Sequence, residues 1–586
     1  MTKLLVIPFT ILLLFITGCQ WLELNHQSHV EIKPKPYKIE PLNERAPQPT
    51  VELHRPFDFP LFLSGNFGEL RSNHFHGGID FKTQGSIGHP IHCADDGYIS
   101  QVSVSGGGYG KAIYVVHPSL GLTTVYGHLE NFSPMIDSIV NARQYELETF
   151  AITLRFPIDA YPVKKGDIIA YSGNTGYSLG PHLHMEVRHT ATGDALDPLP
   201  YFKSLITDNV APTSHALILY PHKTEGLVNG TTQASYQITV PEGTHSFTAW
   251  GKVYPAIRAN DYMTDSYNVY GVKHLVLKVD GTEVYRRTID RFRMEATRAI
   301  NTLVDYRDLK NTQNWNMYTR IPSSKPLGVM IESTTDDGAI NITEQRPYNC
   351  EFIMSDEYGN TTSVPFIING VEANIPTSTP SGKLIKLNNI DTLNIEGLSL
   401  KFYEGCFYEN IYIDVKCQKT SQYNSAIYSI GDYYTPLARS YRMAIKVNND
   451  TINDKSKYCI VRTNGITQSA ISSRYKNGEM IGYAYQFGSY AVTTDLIAPT
   501  ILPINSSLWG INNTITFKIN DNLSGIKNYR GTIDGKWVKF EASNLNSTVT
   551  FNITPDKITK GGSHKVDMTV TDNCGNIATK TVTFVW

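Results

Sequence analysis

Three short segments gather imidazole and carboxylate groups at spacings that suit a metal site: His76-Gly77-Gly78-Ile79-Asp80, Val125-Tyr126-Gly127-His128-Leu129 and Gly180-Pro181-His182-Leu183-His184. A catalytic zinc ion typically takes three nitrogen or oxygen ligands and keeps a fourth position open for water. Two histidines and one aspartate meet that need. Residues two apart on a strand project from one face, so His182 and His184 point the same way if their segment is extended. One can then bind the metal while the other faces a substrate. Zinc lowers the pKa of bound water to about 7 and polarises a carbonyl. Two further imidazoles can take up the water proton and hydrogen-bond an oxyanion, either histidine in either role.

A β framework must position these groups. Between about Val51 and Phe202, short apolar runs such as Ala112-Ile113-Tyr114-Val115-Val116 and Asp167-Ile168-Ile169-Ala170-Tyr171 alternate with Gly and Pro turns, the pattern of a compact antiparallel domain. The loop Ser105-Gly106-Gly107-Gly108-Tyr109-Gly110-Lys111 imitates a phosphate loop. It has Ser105 at the first glycine position and Ala112 where a magnesium-binding Ser or Thr belongs, so it reads as a glycine hairpin. His117 reads as a strand-end residue.

The spacing, order and flanks of the three segments resemble the M23 (LytM, lysostaphin-type) zinc metallopeptidases. The resemblance also takes in Phe67-Gly68, Gly173-Asn174-Thr175-Gly176 and Glu186 after His184. It implies His76, Asp80 and His184 as zinc ligands and His128 with His182 as the catalytic pair. Glu186 and Tyr126 are candidates to orient these groups from behind. Glu186 has a salt partner at the core edge as its alternative, and Tyr126 a packed aromatic. His74 lacks the family's spacing to Asp80 and is a bystander. Between Glu130 and Pro162 the chain has a long stretch where many members have a short connection, a candidate groove wall.

The family implies hydrolysis of peptide cross-links in bacterial peptidoglycan, with stem peptides as the partner. The bond is either a glycine bridge or the D-alanine to diaminopimelate link, and an exported lipoprotein with several β domains favours the second. An alternative is a LytM-like scaffold or amidase activator without catalysis, but such relatives typically lack ligands, and here every ligand position is filled. A peptidase acting on protein is a further alternative.

The rest of the chain sets context. With 52 Lys and Arg against 54 Asp and Glu, the net charge of −2 argues against nucleic acid as a partner. Charged residues are only 18%, against about 25% in average domains, and 41% are hydrophobic, so the chain can bury cores. Residues 1–19 read as a secretory signal ending in Gly18-Cys19, which resembles a lipobox with Cys19 as the lipidated residue. The lipid then supplies the membrane affinity, which places the protein in the cell envelope, with the outer membrane favoured. Residues 20–50 are a Pro-rich tether. The peptidase domain covers 51–205.

The repeat of Asp208-Asn209-Val210-Ala211-Pro212-Thr213 as Asp495-Leu496-Ile497-Ala498-Pro499-Thr500 opens two related β-sandwiches, 206–371 and 495–586. Each contains an Asp-Gly hairpin and an Asp-x-x-Gly-Asn turn, and both resemble bacterial immunoglobulin-like domains. Residues 372–494 form a further β domain to which the residues assign no role. The fold class is thus mainly β, an antiparallel M23 peptidase domain followed by β-sandwich domains. The cysteines are sparse and without a CxxC pair, which suits isolated buried thiols, with one bridge among Cys406, Cys417 and Cys459 as the alternative.

Overall fold

A computed structural model describes residues 44–586 apart from Gln48, Thr50, residues 240–242, Thr244, Thr334, Ser378 and Asn449. The signal, Cys19 and most of the tether lie outside the described residues.

The chain is mostly β, as the patterning predicts. The histidine segments sit on one antiparallel sheet, whose central strands run in the order Leu63–Gly65, Ile79–Lys82, His182–His189, Leu122–Gly127, Lys111–His117, Gly97–Val104 and Ile152–Arg155. The glycine loop joins two neighbours of this sheet, Gly97–Val104 and Lys111–His117. Alternate positions face the core, so Val102, Val104, Ile113 and Val115 are sealed from solvent.

The long stretch after Glu130 contains a helix, Pro134–Glu146, opened by a proline at its first turn. Its outer side meets the last sandwich. Tyr145 packs edge-on against Trp537 with ring centroids 5.0 Å apart, and Glu148 accepts from Arg530 at 2.6 Å. Asn544 N donates to the Gly106 carbonyl at 2.8 Å, so the same sandwich also touches the glycine loop.

From Thr213 to Gly370 the strands other than Arg291–Phe292 form one ten-stranded sheet instead of the separate two-sheet sandwich read from the sequence, because most of its apolar residues join the core of the histidine-bearing sheet in one continuous cluster. Phe292 is the hinge pin of that union. Its ring lies 4.9 Å from Phe67 and 5.1 Å from Phe75, and its strand pairs with Ala195–Leu196. The buried Arg291 guanidinium also donates to Asp194 at 2.6 Å.

Strands between Lys383 and Thr494 form two five-stranded sheets and a two-stranded one around a separate core, and those from Thr500 to Val585 form two four-stranded sheets around Trp509, Phe517 and Phe540. Asp280-Gly281 and Asp534-Gly535 turn their hairpins with both residues at positive φ, as Asp-Gly pairs do in tight two-residue turns. All six described cysteines are free thiols, and Cys417 alone among them is exposed.

Candidate metal centre

Register decides which side chains meet. His184 lies opposite Asp80 on one neighbouring strand and opposite Gly127 on the other, so all three share a face. His182 and Glu186 share it by the two-residue period. Gly78 lets the His76 loop press onto this strand, because a Cβ there would sit 2.2 Å from the Met185 carbonyl oxygen.

Three atoms converge. His76 Nε2 is 3.0 Å from Asp80 Oδ1 and 3.0 Å from His184 Nδ1, and His184 Nδ1 is 2.9 Å from the same Asp80 oxygen. The outer nitrogens are already committed: His76 Nδ1 donates to the Asn66 carbonyl at 2.7 Å, and His184 Nε2 donates to Glu186 Oε1 at 3.0 Å. The inner nitrogens are therefore the atoms that can give lone pairs to a metal beside the Asp80 carboxylate, a place that a proton on His184 Nδ1 otherwise fills. Three electron-pair donors in a buried triangle need a cation between them. Ligand atoms about 2.0–2.2 Å from a tetrahedral zinc ion stand roughly 3.3 Å apart, close to the edges of this triangle.

The electrostatics follow from burial. Burial drives the His76 imidazole down to about 4, despite the opposing pull of Asp80. His184 is equally buried, but hydrogen bonds to Asp80 and Glu186 outweigh the desolvation and raise it to about 9. Burial alone would raise the Glu186 carboxyl; His184 and Arg188 instead bring it down to about 2. Arg71 holds the other Asp80 oxygen at 2.8 Å.

His128 and His182 stand beside the triangle with ring centroids 4.7 Å apart, and the His128 ring is 5.9 Å from that of His184. His128 takes a left-handed conformation, φ 60°, as it leaves its strand. Its Nδ1 donates to the Thr175 carbonyl at 2.8 Å, so the turn at residues 173–176 fixes the ring. Gly176 has φ 77°, and a Cβ there would meet the Gly110 nitrogen at 2.3 Å, which is why the two glycine turns interlock. His182 Nδ1 donates to the Gly180 carbonyl at 2.8 Å. Burial, with His182 and His184 nearby, drives His128 down to about 3.

Glu186 is fully buried behind His184 and also accepts from Tyr109 Oη at 2.5 Å and Arg188 Nε at 2.6 Å. Tyr126 is placed elsewhere. It lies opposite Met185 across the strand pair, which turns it to the other face of the sheet, and its hydroxyl accepts from Ala94 N at 2.9 Å in the core. A regular strand would point Tyr126 and His128 the same way, but the left-handed step at His128 breaks the alternation, so Tyr126 takes the packed-aromatic alternative. His74 is exposed, with Nδ1 on the Ser72 carbonyl, outside the triangle. Tyr109, Asn66, Arg71 and Arg188 support the site without any signal of that role in the sequence, whereas Thr175 stands in the Gly173 to Gly176 motif.

Comparison with known proteins adds the following. An uncharacterized metalloprotease of Haemophilus influenzae is 36% identical over 124 residues, 21% of this chain and 20% of that protein. Glycyl-glycine endopeptidase ALE-1 of Staphylococcus capitis is 28% identical over 148 residues, 25% of this chain and 32% of that protein. DD-carboxypeptidase/endopeptidase Mpg of Neisseria meningitidis serogroup B is 30% identical over 130 residues, 22% of this chain and 23% of that protein. The chain thus spans between 20% and 32% of the length of these relatives. Among solved structures, the catalytic domain of lysostaphin from Staphylococcus simulans aligns at 26% identity over 24% of this chain and 92% of that chain, with a TM-score of 0.19. The catalytic domain of the prophage-encoded M23 protein EnpA from Enterococcus faecalis, as a point mutant, aligns at 25% identity over 24% of this chain and 92% of that chain, with a TM-score of 0.18. Separately, residues 382–495 match a Zu5-like domain, in the region to which the sequence alone assigned no family. The sequence relatives and the motifs that carry the resemblance agree that this chain contains an M23 family metallopeptidase domain.

Proposed function

We propose that the chain is a zinc-dependent endopeptidase that hydrolyses peptide cross-links of bacterial peptidoglycan, held in the cell envelope by a lipid on Cys19. The observation that carries this reading is the triangle of His76 Nε2, Asp80 Oδ1 and His184 Nδ1, three ligand atoms within 3.0 Å of one another whose rings are oriented from outside by Asn66 and Glu186. The printed names of two relatives, a glycyl-glycine endopeptidase and a DD-carboxypeptidase/endopeptidase, support a cell-wall peptide as the substrate class.

His76, Asp80 and His184 would hold the zinc ion, which when bound would supply polarisation of a scissile carbonyl and a lowered pKa for water. The protein's own groups do the rest. With their Nδ1 protons committed to Thr175 and Gly180 carbonyls, His128 and His182 each keep an Nε2 lone pair. Neutral His128 can accept a proton from water and, as imidazolium, deliver it to the departing amine. His182 is placed to hydrogen-bond the developing oxyanion when protonated, and the two roles are interchangeable on this geometry. Tyr109, Arg188 and Glu186 fix the His184 ring from behind.

The test is mass spectrometry of muropeptides from purified sacculi incubated with protein starting after Cys19, with chelator and with zinc restored, beside a casein control. Chelator-sensitive loss of cross-linked dimers, with monomers appearing, is expected, and the product masses name the bond. Unchanged sacculi with zinc-loaded protein overturn the reading in favour of a non-catalytic envelope scaffold. Cleavage of casein alone replaces the substrate.

A further inference from the structure

Away from the histidines, one arrangement of acidic side chains occurs twice. Asp208, Asp261 and Asp356 bring ligand oxygens within 4.8 Å of one another, and Asp495, Asp521 and Asp572 do the same. Both sets come from equivalent places. One aspartate opens the repeated segment before Ala-Pro-Thr, one follows an asparagine at a strand end (Asn260-Asp261, Asn520-Asp521), and one begins the Asp-x-x-Gly-Asn turn. Asn360 Nδ2 donates to Asp356 at 2.7 Å and to the Asp208 carbonyl at 3.3 Å; Asn576 repeats this with Asp572 at 2.7 Å and the Asp495 carbonyl at 3.0 Å.

Turn chemistry accounts for part of this. Asp356 Oδ1 accepts from the Tyr358 and Asn360 amides, and Asp208 Oδ1 from those of Val210 and Thr264. It leaves Asp261 unexplained. That residue is 5% exposed, and its Oδ1 is sealed from solvent with no hydrogen-bond partner. A bare buried carboxylate oxygen is costly unless something positive meets it. Lys273, which lines the same cavity, is already engaged by Asp197 at 2.6 Å and by Glu357. The three aspartates share the lining of a cavity of about 20 Å³ with Asn66 and Phe67, room for a single ion or water.

We propose that Asp208, Asp261 and Asp356 bind one divalent cation of the calcium class. An all-oxygen, all-carboxylate set selects a hard cation. Oxygens about 2.3–2.6 Å from calcium stand up to roughly 5 Å apart across the ion, a span that ligand oxygens lying within 4.8 Å of one another meet, and calcium tolerates irregular carboxylate geometry that magnesium's octahedron does not. The site fastens the segment that follows it. Asp261 and Tyr270 exchange backbone hydrogen bonds at 2.9 Å, Tyr270 Oη donates to the Leu63 carbonyl at 2.8 Å, and Gly271 pairs with the Asn66 side chain. Asn66 is the residue whose carbonyl holds His76. The cation thus braces the contact between the ten-stranded sheet and the strand edge beside the metal centre. A proton is the rival occupant, since burial and Asp356 push the Asp261 carboxyl up to about 8.

Isothermal titration of calcium chloride into the zinc-loaded protein at neutral pH, with magnesium chloride in parallel, reads the site directly. The expected result is saturable calcium uptake, with Asp261→Asn binding one calcium equivalent fewer at unchanged far-UV circular dichroism and zinc content. Calcium should raise the unfolding midpoint of the parent protein more than that of the variant. Asp208→Asn is measured alongside, so that the stoichiometry is read even if one variant folds poorly. No calcium uptake by the parent, full stoichiometry in both variants, or magnesium binding as tightly as calcium overturns the proposal.

Discussion

Asp80 Oδ1 lies 2.9 Å from His184 Nδ1 because the two residues are direct cross-strand partners in the antiparallel pair of Ile79–Lys82 with His182–His189. The sheet register itself therefore builds one edge of the metal triangle. Asp80→Ala or His184→Ala should abolish zinc retention and hydrolysis together while the strand pair persists. Zinc content by plasma mass spectrometry, measured on dialysed protein with its circular dichroism, checks this; a variant that stays active without zinc contradicts the assignment.

His128 touches the site without joining the triangle. His128→Ala should keep full zinc content and lower turnover roughly 10²- to 10⁴-fold, the usual contribution of a general acid or base. Dimer hydrolysis rates at saturating zinc provide the measurement, and an unimpaired rate removes His128 from the mechanism.

Glu186 fixes His184 from the side opposite the triangle. Glu186→Gln should weaken zinc binding by about 10–100-fold, as loss of a partner behind a ligand commonly does. Competition against a chromophoric chelator measures the affinity. Tyr109→Phe, which removes only the hydroxyl donor to Glu186, should fall between this variant and the parent.

Phe292 follows the boundary read near residue 205 in the chain, yet its strand joins the histidine-bearing sheet and its ring packs against Phe67 and Phe75. Phe292→Ala should cost about 3–5 kcal/mol, the range for a buried phenylalanine. Since the two units share one core, calorimetry should show both losing stability in a common transition, while the last sandwich, with its own core around Trp509, melts unchanged.

Much of this was legible in the residues alone. The metal set is short-range in pattern: His76 and Asp80 lie four apart, His182, His184 and Glu186 two apart on one strand, and a strand's period puts the latter on one face. Asp-Gly hairpins and the repeated Asp-x-x-Gly-Asn turns were likewise readable, because local backbone preference dictates them. What only the tertiary structure decided depends on partners distant in the chain. Tyr126 left the site because its cross-strand neighbour is Met185 rather than His184, and register follows from the packing of the whole sheet. Asn66 became the support of His76, and Tyr109 that of Glu186, through contacts that no local period encodes. The boundary read near residue 205 is bridged by Phe292, since apolar surface is buried wherever it fits, regardless of separation along the chain.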